Sequence, residues 1–178
     1  PFYFIMGLVS PNKPVALDDK SGFEGKDIGV YRSDRLGLDL PLLERNAWVI
    51  VDRDDDNGGW LVATHARTRT VLRVRRYAET TLVGRMECSA RAMLVGELPR
   101  DDQRVNDGWE TLSDEPIHRP KGWDGWRWVA FQPVGGGKVF GHVFLIAGRA
   151  HDCLVVHVKA EAADEGGQLW CAVPPWAR

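Results

Sequence analysis

His142 and His157 offer the most specific chemistry in the chain, provided the fold sets them face to face. Two imidazoles opposed across paired strands supply two ligands for zinc or copper, and a stable site then needs a third and a fourth donor nearby. Cys153, two pleats along from His157, and His65 on an earlier hairpin are the available extras. Such histidines are more often structural, half-buried and hydrogen-bonded to backbone or carboxylate. The pair is therefore read as structural, with metal binding as the alternative, and no cofactor is expected.

Nucleophilic catalysis finds little footing. A Cys153/His142 or Cys153/His157 dyad is geometrically poor, because same-face side chains two apart along a strand lie ~6–7 Å apart and His157 is twice that far from Cys153. The sequence has no Gly-x-Ser-x-Gly, P-loop, dinucleotide fingerprint or His-Glu-x-x-His. No catalytic residue is assigned, and the chain is expected not to be an enzyme. The run Asp52-Arg53-Asp54-Asp55-Asp56-Asn57-Gly58-Gly59 places carboxylates at alternate positions, as a calcium loop does. Its glycine comes one place late and Ala63 stands where a bidentate Glu should close the site, so an acidic β-turn explains it better.

Cys88, Cys153 and Cys171 form no Cys-x-x-Cys, which removes support for a zinc ribbon or a thioredoxin-type pair. Cys88 lies on a helix expected over 80–94, off the apolar stripe of Leu82, Met86, Ala90 and Met93. If that helix packs over the sheet face carrying Cys153, a Cys88–Cys153 disulfide clamps helix to sheet and points to an oxidising compartment. Three independent thiols are the alternative.

Of eight tryptophans, Trp109, Trp123, Trp126 and Trp128 crowd into twenty residues. Tryptophan clusters line sugar and aromatic sites, although core and interface roles are commoner. Trp126 and Trp128 share one face of an expected strand and should be buried. Trp109 and Trp123 lie among the turn signals Asp107-Gly108 and Lys121-Gly122, so they are the candidate binding residues, at least one of them partly exposed. Arg73, Arg75 and Arg76, with Arg67 and Arg69, make one hairpin tip basic. Such a stripe docks an anionic partner or simply blunts an exposed edge.

These residues need a scaffold, and alternation supplies it. Segments 126–132, 139–147 and 152–160 read as a β-meander with Gly-rich turns between them. One face collects Val129, Phe131, Phe140, His142, Phe144, Ile146, Cys153, Val155 and His157, and the other Trp128, Ala130, Val139, Val143, Leu145, Leu154, Val156 and Val158. Closed symmetrically, the second turn sets His142 opposite His157 and Ile146 opposite Cys153. Two apolar faces require cover on both sides, by helices or by a second sheet. Upstream, 36–40 and 48–51 read as short strands around Pro41, and 60–66 with 70–77 as a hairpin. Residues 99–125 read as a surface loop or two short strands, and 160–165 as a closing helix that Gly166-Gly167 weakens and Pro174-Pro175 ends. Residues 1–35 look irregular and 36–178 form one α+β domain.

A formal net charge of −2 from 23 basic and 25 acidic residues, with no long single-sign block, argues against a nucleic-acid partner. No stretch reaches the ~20 apolar residues of a transmembrane helix. The uncharged opening 1–9 reads as the tail of a signal peptide, a first strand or an edge element, and the lack of an initiator Met as a processed product or a fragment.

In element order over 30–165, and in Gly37-Leu38-Asp39-Leu40-Pro41 followed by Trp48 heading the next strand, the chain resembles the PsbP-like fold. That fold is shared by an extrinsic photosystem II protein, a Ran-binding nuclear import factor and many small bacterial lipoproteins. The resemblance implies an α/β/α sandwich, a central antiparallel sheet covered by helices on both faces. It also implies a non-enzymatic binding or assembly protein, periplasmic or at the cell surface, of the processed-lipoprotein type. Two other functions stay open. One is a small metal-dependent enzyme using His142 and His157; the other is an immunity or inhibitor protein that covers a partner's active site through the Trp-rich segment.

Overall fold

Leu36, Leu38, Leu40 and Leu42 recur at every second position, and each is at most 2% exposed. That period belongs to a strand with one face buried. In the computed structural model, which describes residues 28–56, 58–117 and 122–162, the last three lie on β2 (Leu38–Leu43), paired antiparallel with β1 (Ile28–Ser33). Among the described residues the ribbon has two strands, so Pro41 sits on an edge strand, where proline is tolerated.

The ribbon lies against a seven-stranded antiparallel sheet. Strands β3 (Trp48–Asp55), β4 (Gly58–His65) and β5 (Val71–Ala78) form one meander. The chain then crosses over through α1 (Arg85–Leu94) and α2 (Asp101–Asn106) to the far edge. It returns as β6 (Glu110–Ile117), β7 (Asp124–Pro133), β8 (Val139–Arg149) and β9 (Asp152–Ala162). The order is β3-β4-β5-β9-β8-β7-β6, so the two meanders meet where β9 pairs with β5. No helix among the described residues is long and apolar enough to cross a membrane.

Each sheet face packs on another layer, but the two layers are not both helical, and the helical one covers its face only in part. One face packs on the leucines of the ribbon, through Trp48, Leu61, Leu72, Val143, Leu145 and Val156 among others. The other packs on the helical crossover, through Tyr77, Trp128, Phe144, Ile146, Cys153 and Val155. The expected α/β/α sandwich is therefore corrected to a mostly β architecture with helices on one side and a β-ribbon on the other. β1 falls inside the segment read as irregular, and 99–125 holds α2 and β6.

The start of the expected closing helix is also strand. Ala160, Glu161 and Ala162 continue β9 because β8 offers Gly141, Phe140 and Val139 as ladder partners, and that pairing overrides the helix propensity of Ala-Glu-Ala. The rest of that helix, Cys171 and the opening 1–27 lie outside the described residues.

The β8–β9 turn is offset from the symmetric closure expected. Arg149 pairs with Asp152 around Ala150 and His151, so Phe144 faces His157, His142 faces Lys159 and Gly148 faces Cys153. An offset of two residues leaves every side chain of β8 and β9 on its expected face. β7 departs from expectation: Pro133, read as a turn residue, pairs with Val139, and this slip of one residue sets Trp128 opposite Phe144 on the helix side and Val129 opposite Val143 on the ribbon side, the reverse of the faces expected. Gly148, read as a turn residue, stays in the strand. A Cβ there would lie 2.6 Å from the backbone C and O of Gly84, and Ala150 takes the turn at φ 51° instead.

Candidate functional site

The helix face is organised around α1. Gly84 N–H donates to Glu87 Oε2 and Arg85 N–H to Asp124 Oδ2, each at 2.9 Å, satisfying two donors of the first turn. Residues before Gly84 do not join the helix, because Glu79 N–H and Val83 N–H bond to carbonyls of the β8–β9 turn at 2.7 and 2.8 Å. Cys88 and Ala92, one helical turn apart, are the fully buried residues of α1, and Cys88 is disulfide-bonded to Cys153. Of the stripe expected to face the core, Leu82, Met86 and Ala90 are turned away from it, the first two 75% and 71% exposed, and Met93 alone packs against it. Clamped by Cys88, the helix lays Arg85, Ser89 and Met93 along a groove.

Beside α1 the rings of the sheet form a continuous stack. Trp126 and Trp128 have centroids 6.1 Å apart, Trp128 and Phe144 5.1 Å, and Phe144 and His157 4.1 Å, all within 18° of parallel. The order follows from register: Trp128, Phe144 and His157 are direct cross-strand partners. Trp128 is fully buried, donates Nε1–H to Thr111 Oγ1 at 3.0 Å and carries the Arg104 guanidinium 4.3 Å from its ring. Trp109 packs on His142 at 4.4 Å and on Trp128 at 5.4 Å.

The two histidines do meet, across a diagonal rather than a direct pair. His142 Nδ1 and His157 Nε2 share a hydrogen bond of 2.9 Å. Burial pulls the His142 pKa down to about 3, with Lys159 and Arg73 adding repulsion. Burial likewise holds His157 well below the usual range, helped by His142, Arg73 and Lys159. Among the described residues a metal finds no further donors here. Cys153 is disulfide-bonded, and His65 stands against Trp48 of the ribbon-side core, its Nε2 3.1 Å from Glu44 Oε2. No group of three His, Cys, Asp or Glu side chains able to hold an ion occurs among the described residues. The neighbouring cations further disfavour one.

The acidic run is likewise used internally. Tyr31 O–H donates to Asp52 Oδ2 at 2.9 Å, and Asp54 and Asp55 pair with Arg35 and Arg75.

Of the two candidate binding tryptophans, Trp123 is 7% exposed in the ribbon-side core, whereas Trp109 is half-buried over His142. Trp128 is buried as expected; Trp126 is only half-buried. Its indole, held by a hydrogen bond from Nε1–H to Asp114, lines a groove of about 340 Å³ between α1, α2 and β6. Met86, Met93, Leu98 and Pro116 supply the apolar walls, and Arg85 and Arg104 the cations. Sequence alternation put Trp126 and Trp128 on one face of their strand but assigned that face to the wrong side of the sheet, and it carried no sign that the neighbour β6, opposing Trp126 with Pro116, leaves the ring uncovered.

No protein-family model matches the chain, and no curated protein matches it either.

Proposed function

We propose that this chain is a non-enzymatic binding protein of an extracytoplasmic compartment, the periplasm or the cell surface, which seats an apolar ligand group on Trp126. The groove between α1 and β6 is the observation that carries the reading. Its volume lies at the lower end of the roughly 300–1,000 Å³ of small-molecule clefts. Methionine walls adapt to irregular apolar shapes, and an indole pinned through Nε1 presents its face at little cost in side-chain entropy. The buried disulfide supports an oxidising environment. The enzyme reading has less support, because the imidazoles it would use are bonded to each other and have no further ligands among the described residues.

Titration of the folded chain with anilinonaphthalene sulfonate, followed by dye emission and tryptophan quenching, tests this. Saturable binding at one site is expected, weakened about tenfold or more by Met86→Glu, which alters an exposed position, and by Trp126→Leu. Affinity unchanged in both variants, with near-UV circular dichroism intact, would overturn the reading.

A further inference from the structure

The helical crossover covers only part of its side of the sheet. α1 packs on β7, β8 and β9. Beyond them two cross-strand rows continue without cover among the described residues: Lys159–Val71–Thr64–Val49, and His157–Arg73–Val62–Val51. Val49 is 66% and Val51 46% exposed on the edge strand β3, and Arg53 and Arg73 are exposed as well.

The charge on this half-face is one-sided. Arg53 lies 4.5 Å over the Trp60 ring and the Lys159 ammonium 4.0 Å over Phe140. The carboxylates sharing the face are already engaged, Asp55 by Arg75 and Glu161 by Lys138. Arg73 and Lys159 are diagonal neighbours across β5 and β9, a separation of roughly 7 Å at which like charges repel. Burial and Arg73 together lower the Lys159 pKa. No carboxylate among the described residues relieves Arg53, Arg73 or Lys159.

We propose that this uncovered half-face, over β3, β4 and β5, docks an acidic segment of a partner protein. Its carboxylates pair with Arg53, Arg73 and Lys159, and its apolar side chains cover Val49, Val51 and Val62. Shape selects a polypeptide over a lipid surface. α1 stands on the same side of the sheet, so the half-face is a step below a helix roughly 10 Å thick. A planar bilayer is held off by that step, whereas an extended chain lies along it. The surface is separate from the Trp126 groove, and neither proposal depends on the other.

The test uses a fluorescein-labelled peptide alternating Glu and Val, its Lys/Val counterpart, and vesicles containing anionic lipid. Anisotropy should rise with the acidic peptide alone, and the affinity should fall steeply with salt. Arg73→Gln and Val51→Asp, both at exposed positions, should each weaken binding about tenfold, and Trp126→Leu should leave it unchanged. Equal binding of both peptides, association with vesicles but not peptide, or an acidic-peptide affinity indifferent to Arg73→Gln and Val51→Asp would overturn the proposal.

Discussion

His142 and His157 lie side by side in the sheet with one imidazole nitrogen of each in a shared hydrogen bond of 2.9 Å, so each ring is the other's polar partner. Such a bond needs one N–H donor and one bare nitrogen, and protonation of both rings abolishes it. Arg73 and Lys159 flank the pair, and Trp109 covers His142.

This arrangement sets a pH dependence. Both folded-state pKa values lie below the ordinary ~6.5, so the unfolded chain binds more protons once the pH falls beneath that value. The contribution to stability is fully present above about pH 6.5 and is lost as the pH falls toward the folded values. Urea midpoints measured from neutral to about pH 4.5 should therefore decline, before the depressed carboxylates Asp39 and Glu44 begin to be protonated in the fold. The double variant His142→Phe/His157→Phe should flatten the decline. A profile as steep as the parent's would assign the effect to other groups.

The disulfide gives a second prediction. Cys88 and Cys153 are 65 residues apart, and a loop of that size stabilises by about 4 kcal/mol in the chain-entropy account. Cys88 and Ala92 are the only fully buried residues of α1, so the helix depends on this clamp more than its length suggests. Cys88→Ala/Cys153→Ala should lower stability by about 2–4 kcal/mol, with amide exchange rising first in α1 and later in β8. Uniform acceleration across the sheet would mean that α1 does not open separately.

Legibility in the sequence followed the range of the forces involved. Alternation along single strands is local, and it set Cys153, His157 and Phe144 on one face even though the pairing was offset by two residues. The disulfide was within reach because that face and the angular position of Cys88 on its helix were both local properties. Cover was not. Leu36, Leu38, Leu40 and Leu42 announce a buried strand, yet only tertiary packing shows that β2 and β1 replace a helical layer. The exchange of roles between Trp123, buried, and Trp126, open to the groove, has the same origin. It depends on where β6 lies beside β7 and on how much of that edge α1 leaves uncovered.

Gly148 supplies the last prediction, because its place in β8 is set by contact rather than by turn geometry. A Cβ at this position would meet the Gly84 backbone C and O at 2.6 Å and its Cα at 2.7 Å, well inside van der Waals contact. Backbone atoms cannot rotate away, so the segment before α1 must shift. The N–H bonds from Glu79 and Val83 to the β8–β9 turn restrain that segment, and Cys88 follows four residues later. Gly148→Ala should cost about 1–3 kcal/mol, typical of overpacking, and should speed amide exchange at Glu79, Val83 and Arg85 while β3 and β4 stay protected. Gly136→Ala, at a position with open space around its Cβ but a φ of 62°, is the control. It should cost only the backbone strain of a non-glycine residue there, about 1 kcal/mol, with no change in exchange near α1. A Gly148→Ala variant that matched this control at every amide would show that the contact with Gly84 relaxes freely.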